Sequence, residues 1–259
     1  MTIRNADLER VRSLPLFSQL SESSFRNVMA GAFLQRFPAG AMLLMEGDPV
    51  DFLYVLLDGA VELGGSWNDK DTTLAILKPV STFILAAVVL DAEGLMSAET
   101  LERSDILMIS GVSVRRVMEE DAIFSLAVAR ELSGCYRGVV RTIKNQKLRG
   151  GAERLANYLL TQQAHQGGAQ TVRLPHEKRV LASLLGMTPE NLSRAFATLT
   201  DYGIEINGAD VKIARPVVLQ RLAKPTPLID NYAPPSEQLN GQADVERWAV
   251  RHDRSKAIA

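Results

Sequence analysis

Thr188, Glu190, Asn191, Ser193 and Arg194 lie within one short stretch, GMTPENLSRAF (186–196). At helical spacing Glu190, Ser193 and Arg194 stand at i, i+3 and i+4 and share one face. Their chemistry is multipoint hydrogen bonding to flat polar edges. An arginine can donate two bonds to guanine O6 and N7, and a glutamate can accept one from cytosine N4. The same face has a plainer reading, in which Glu190 and Arg194 form an i,i+4 surface pair worth about 0.3–0.5 kcal/mol.

The elements that must position these side chains are legible nearby. Thr188 suits an N-cap and Pro189 the first helical turn. Leu192, Ala195, Phe196 and Leu199 then form the inward face of a helix over 188–199. Upstream, EKRVLASLL (177–185) places Val180, Leu181, Leu184 and Leu185 on one side, and Gly186 ends it. Ala182 is small enough for two helices to cross closely. A helix, a glycine turn and a second helix make the helix-turn-helix plan, whose second helix presents its N-terminal end to the major groove. Lys178 and Arg179, opening the first helix, join the candidate DNA contacts. IEINGADVKI (204–213) alternates around Asn207-Gly208 and reads as a hairpin, which fits a winged variant.

The totals narrow the classes. Residues 1–121 carry 10 Lys and Arg against 18 Asp and Glu; residues 122–222 carry 14 against 7. An acidic front and a basic later half point to a polyanion partner for the latter. Arg130, Arg137, Arg141, Lys144, Lys147 and Arg149, set against Glu131, could draw the protein toward DNA in a salt-dependent way. Cys135 is the single cysteine, and His165, His176 and His252 are scattered. That set supports neither a zinc site nor an iron–sulfur cluster. No serine sits in a G-x-S-x-G turn, so Ser-His-Asp catalysis is not expected, nor is a metal enzyme, and the chain is read as a non-enzyme. No apolar run approaches the ~20 residues of a membrane span, and the start lacks a signal-peptide pattern. A cytoplasmic protein without a membrane partner is expected.

Along the chain, residues 7–30 read as helix. From Phe33, short apolar runs alternate with turn signals such as FPAG, MEGD and LLDG, which suggests a small sandwich or barrel. FILAAVVL (83–90) reads as either a buried strand or a short helix. From Val112 to about Leu148 a long amphipathic helix is expected, with Leu132, Cys135, Val139 and Ile143 along one seam. That seam either packs on its own domain or pairs with a second copy. Gly150-Gly151 is a hinge, and the Pro-rich stretch beyond Arg221 is a mobile tail.

Two stretches in this order carry a resemblance: FPAGAMLLMEGDPVDFLYVLLDGAVEL (37–63) and LASLLGMTPENLSRAFATLTDYGI (181–204). Over about residues 8–222 the layout resembles the CRP/FNR superfamily of bacterial transcription regulators. The resemblance implies an α+β chain. A cyclic-nucleotide-binding-like β-roll (a jelly roll) would cover 1–120, a dimerisation helix 121–149, a winged helix-turn-helix domain 150–222, and the tail 223–259. It implies a homodimer on double-stranded DNA, with RNA polymerase a further partner if the protein activates. Glu190, Ser193 and Arg194 match the Glu-x-x-Ser-Arg pattern of the FNR type. Pro189 stands where the cyclic-AMP branch has another base-reading Arg, so a TTGAT-like half-site is expected.

The departures concern the signal. Phe83-Ile84 replaces the Gly-Glu pair that holds ribose in the family, and Met96-Ser97 replaces the Arg-Ser pair that holds the cyclic phosphate. Without its arginine the phosphate would lack compensation, so cyclic AMP is not expected. Iron–sulfur members need several cysteines, and haem members His or Cys ligands in a sensor domain that here has no histidine; neither cofactor is expected. Ile84, Leu85, Val88, Leu95, Met96 and Ser97, facing Cys135 and Val139, form either a filled core or a pocket for a small apolar effector. Cys135 is either inert packing or a redox thiol. The rival class is an effector-binding β-roll module or enzyme regulator with no DNA role.

Overall fold

The computed structural model describes residues 3–68 and 70–230. Two helices, α1 (Asn5–Arg12) and α2 (Glu22–Met29), stand where one is expected over 7–30. Pro15 lies between them and cannot supply an N–H to a continuing helix. Ser21 then starts α2 afresh, its hydroxyl accepting from the Ser24 amide at 3.0 Å.

Eight strands follow: β1 (Phe33–Phe37), β2 (Met42–Leu44), β3 (Phe52–Asp58), β4 (Val61–Trp67), β5 (Lys70–Leu77), β6 (Ser81–Phe83), β7 (Ser97–Thr100) and β8 (Ser104–Ser110). They form two antiparallel four-stranded sheets, ordered β1-β8-β3-β6 and β2-β7-β4-β5. Both contribute to one core, through Leu34, Leu53, Val55 and Ile106 from the first and Leu44, Val61, Leu63 and Ala98 from the second. In β3, Leu53 to Leu57 are all buried. Helices pack on this sheet's other side, so the strand loses the alternation that a half-solvated strand shows. The β3–β4 turn requires glycine: Gly59 has φ +91°, and a Cβ there would lie 2.3 Å from Ser104 Oγ.

FILAAVVL resolves into both of its readings. Phe83 closes β6, Ile84 takes a left-handed conformation, and α3 (Leu85–Leu90) follows. The long helix is likewise divided, into α4 (Gly111–Glu120) and α5 (Ala122–Leu148). Asp121 makes the break: its carboxylate accepts from the Ile123 and Phe124 amides at 2.8 and 3.2 Å, capping α5. Phe124 and Val128 of α5 are buried in the β-roll core, and Leu132 packs against it. Tyr136, Val139, Val140 and Ile143 stand exposed, and together they make an apolar stripe at spacings of three and four. The first half of α5 therefore covers its own core, and its second half leaves an apolar stripe uncovered.

After Gly150 come α6 (Gly151–His165), β9 (Thr171–Arg173), α7 (Lys178–Leu184), α8 (Pro189–Thr200), β10 (Ile204–Asn207), β11 (Asp210–Ile213) and α9 (Pro216–Ala223). The three strands pair in the order β10-β11-β9 around a second core that includes Leu155, Leu159, Leu181, Phe196, Leu199 and Leu219. Of the expected mobile tail, residues 224–230 are packed against the end of α5, where Arg149 and Asp230 pair at 2.6 Å; residues 231–259 lie outside the described residues. No described helix is long and apolar enough to cross a membrane.

Candidate nucleic-acid interface

α8 begins as its residues dictate. Thr188 takes an extended conformation, its hydroxyl accepts from the Asn191 amide at 3.3 Å, and Pro189 opens the first turn. Leu192, Ala195, Phe196 and Leu199 are buried, which turns Glu190, Asn191, Ser193 and Arg194 outward, all exposed. Ala182 of α7 is fully buried and admits α8 closely. Gly186 between the helices has φ +63°, and a Cβ there would lie 3.1 Å from the Gln146 side chain of α5. The turn thus favours glycine for its backbone, and its position brings it against the Gln146 side chain of the long helix.

The outward face carries unspent hydrogen-bonding capacity. Among the described residues, no ion pair within 4 Å joins Glu190 to Arg194 or engages Arg194 at all. The surface pair of the plainer reading is therefore not formed. Hydrogen bonding with the Thr188 hydroxyl, then the local backbone, holds the Glu190 carboxyl below its ordinary range, and Arg194 adds a smaller through-space effect. A charged acceptor and a free guanidinium stand one turn apart on the first two turns of α8, where the helix N-terminus also favours an anion. Lys178 and Arg179 are exposed at the start of α7, with the Lys178 ammonium 6.0 Å from the centre of the Phe196 ring. The β10–β11 hairpin pairs Asn207 with Asp210 and turns through Gly208 at φ +62°.

One member of the expected basic face is placed elsewhere. Arg149 is tied to Asp230, both side chains 7% exposed, so it is an internal clamp and not a surface cation. Arg130, Arg137 and Lys147 are exposed, and Arg141 and Lys144 half-buried.

The eight residues expected to line a sensor pocket do not converge on one. Leu85 and Val88 are buried, and Ile84 and Met96 pack on the same core. Leu95, however, is 84% exposed and Val139 57%. The 91–96 loop is held against the β-roll by Gly94, whose amide donates to the Asp48 carbonyl at 2.9 Å and whose carbonyl accepts from the Gly47 amide at 2.7 Å, but Leu95 itself turns to solvent, and Val139 lies beyond the part of α5 that the β-roll covers. Ser97 is half-buried on β7, and Cys135 is exposed as a residue. Close packing about its sulfur, then the neighbouring Glu131 carboxylate, push the thiol above its ordinary range, against the low-pKa redox reading. No group of three or more potential metal ligands occurs among the described residues.

Other residues that couple the two halves carry no sequence signal. Ser183 of α7 accepts from the Thr73 amide of β5 at 2.6 Å and lies 3.4 Å from the Thr72 hydroxyl. Beside this contact, burial and Lys78 lower the His176 imidazole below its ordinary value, with Glu62 opposing. Arg154 of α6 donates to the Gln146 and Arg149 carbonyls of α5 at 3.0 and 3.4 Å, and to the Gly186 carbonyl at 3.4 Å. It thereby bridges the long helix and the interhelical turn.

Comparison with known proteins agrees with this geometry. The family described as "Cyclic nucleotide-binding domain" matches residues 34–121, and that described as "Crp-like helix-turn-helix domain" matches residues 153–222. The "Global nitrogen regulator" of Nostoc sp. is 24% identical over 208 residues, covering 76% of this chain and 93% of that protein. The "CRP-like cAMP-activated global transcriptional regulator" of Mycobacterium tuberculosis is 25% identical over 195 residues, covering 73% and 87%. In fold, the chain is similar to FixK2 from Bradyrhizobium japonicum, with a TM-score of 0.63 at 20% identity, covering 74% of this chain and 96% of that one. It is also similar to the regulator CLP of Xanthomonas campestris, with a TM-score of 0.63 at 18% identity, covering 74% and 99%. A cyclic nucleotide-binding domain joined by a long helix to a Crp-like helix-turn-helix domain is the layout of a DNA-binding transcription regulator, and the chain belongs to the CRP/FNR superfamily.

Proposed function

We propose that two copies of this chain, paired along α5, read a TTGAT-like palindrome with α8. Glu190, Ser193 and Arg194 would contact bases, while Thr188, Asn191, Lys178 and Arg179 would contact bases or phosphates around them. A signal received by the β-roll would set the separation of the two reading helices. The observation that carries the reading is the exposed polar face of α8, with Arg194 spent on no internal partner. The uncovered stripe of Tyr136, Val139, Val140 and Ile143 supports pairing, since apolar residues at this spacing suit a partner helix.

A gel-shift titration on a TTGAT-N4-ATCAA duplex tests it. Specific binding that survives competitor DNA is expected. Arg194→Ala should cost about 1–3 kcal/mol and relax preference at one base pair per half-site. An equal loss on every sequence would make Arg194 a phosphate contact and remove it from base reading.

A further inference from the structure

The chain does not end its ordered path with α9. Lys224 adopts a left-handed conformation, φ +45°, and turns the backbone back toward α5. Two successive carbonyls are then held: that of Ala223 by Asn157 Nδ2 at 2.7 Å and that of Lys224 by Arg149 Nη2 at 3.3 Å. Residues 226–230 close a turn in which the Asp230 amide donates to the Thr226 carbonyl at 2.7 Å and the Thr226 amide to Asp230 Oδ2 at 2.8 Å. That turn delivers the Asp230 carboxylate to Arg149 in bidentate register, both contacts at 2.6 Å. Arg149 also donates to Asn145 Oδ1 at 3.1 Å, and the Lys144 ammonium lies 3.5 Å from the Leu228 carbonyl.

The place of this pair is what gives it consequence. Arg149 is the C-cap of α5 and adjoins Gly150-Gly151, where the chain passes into the DNA-binding unit. Two glycines leave that junction little intrinsic stiffness. Asp230 stands beyond residue 222, where the helix-turn-helix match ends, so the pair spans the junction from its far side. Arg154 spans it from the near side, joining the end of α5 to the Gly186 turn. A planar guanidinium gripping a carboxylate at two points fixes orientation as well as distance.

We propose that residues 224–230 are a clasp, and that Arg149 and Asp230 are positioning residues that fix the angle at which α6 and the reading helix leave α5. In the dimer this angle sets the distance between the two copies of α8, a consequence that rests on the DNA-reading function proposed above. The clasp itself rests only on the geometry of the junction.

Two measurements on the full chain test it. The first is hydrogen exchange of wild type against Asp230→Asn, which keeps the side chain's shape and removes its charge. Exchange of the hydrogen-bonded junction amides of Gly150 and Arg154 should rise about tenfold or more, as local opening becomes easier, with β3 and β8 unchanged. Unchanged exchange at the junction, or acceleration shared equally by the strands, would overturn the clasp. The second uses duplexes whose half-sites are set one base pair closer or farther apart. Wild type should prefer one spacing, and Asp230→Asn should bind all three within about threefold, a difference under ~1 kcal/mol. Wild-type spacing preference retained in Asp230→Asn would overturn the positioning role. A wild-type chain that shifts no duplex would count against the DNA reading alone, and the exchange result would still decide the clasp.

Discussion

On α8, Glu190, Asn191, Ser193 and Arg194 stand in solvent above a row of buried apolar residues. Between Phe83 and Val88, large apolar side chains point the other way, into the core. Phe83 is buried with its ring stacked 5.0 Å from that of Tyr54, and Leu85 and Val88 are buried beside it. Two glutamates show the same contrast. Glu190 is held below its ordinary range by the Thr188 hydroxyl, whereas burial raises Glu131, which faces Thr82 at 3.4 Å, above it. One region keeps its polar groups charged and available; the other has filled its interior with hydrocarbon. The reading helix keeps its polar groups at the surface, while the stretch from Phe83 to Val88 lays its large apolar side chains into the core.

If the two halves are built separately, they should also break separately. Phe124 is fully buried in the β-roll core, stacked 6.1 Å from Phe17, and Phe196 is buried in the second core. The two cores share no residue. Each Phe→Ala change should cost about 3–5 kcal/mol. Scanning calorimetry should show two transitions, one lowered by Phe124→Ala and the other by Phe196→Ala. A single transition lowered equally by both would mean that the contact between α7 and β5 fuses the halves into one cooperative unit.

A smaller effect tests the glutamate contrast. A carboxyl whose folded pKa is raised holds its proton more tightly in the folded chain. Its contribution is fully present below the unfolded value and is lost as pH rises through the folded value. At pH 7, then, wild type bears the burden of an ionised, half-buried Glu131. Glu131→Gln should raise the melting midpoint at pH 7 by a few degrees, less than about 4 °C, and give no gain near pH 4. An equal gain at both pH values would assign the effect to packing instead of charge.

What could be foreseen divides by the range of the interaction. Thr188, Pro189 and Gly186 signal a turn and a helix start through their own backbone chemistry, so α8 and its outward face were legible. So was the run of short strands, through its turn residues. The break at Asp121 was not, because the apolar pattern continues across it and only the capping bonds to Ile123 and Phe124 reveal it. The pairs Arg149–Asp230 and Thr73–Ser183 are 81 and 110 residues apart in sequence, and no local period encodes them. The exposure of Leu95 was not legible for a related reason: residue type signals burial only where the backbone turns the side chain inward, and Leu95 stands 84% exposed beside the buried Gly94.

The smallest expected effect is none at all, and it bears directly on the contrast between the halves. Arg115, the arginine that touches α3, already donates to the Val88 carbonyl at 2.9 Å and pairs with Asp91 at 2.8 Å. An incoming cyclic phosphate would have to displace these bonds or remain uncompensated among Phe83, Leu85 and Val88. Cyclic AMP in the millimolar range should therefore leave the β-roll transition where it is. A ligand present at a hundred times its Kd stabilises the form it binds by about 2.7 kcal/mol, enough to move a domain's midpoint by at least about 5 °C. A shift of that size would show that the β-roll opens to admit the nucleotide, and that filling the interior with hydrocarbon has not closed the input half.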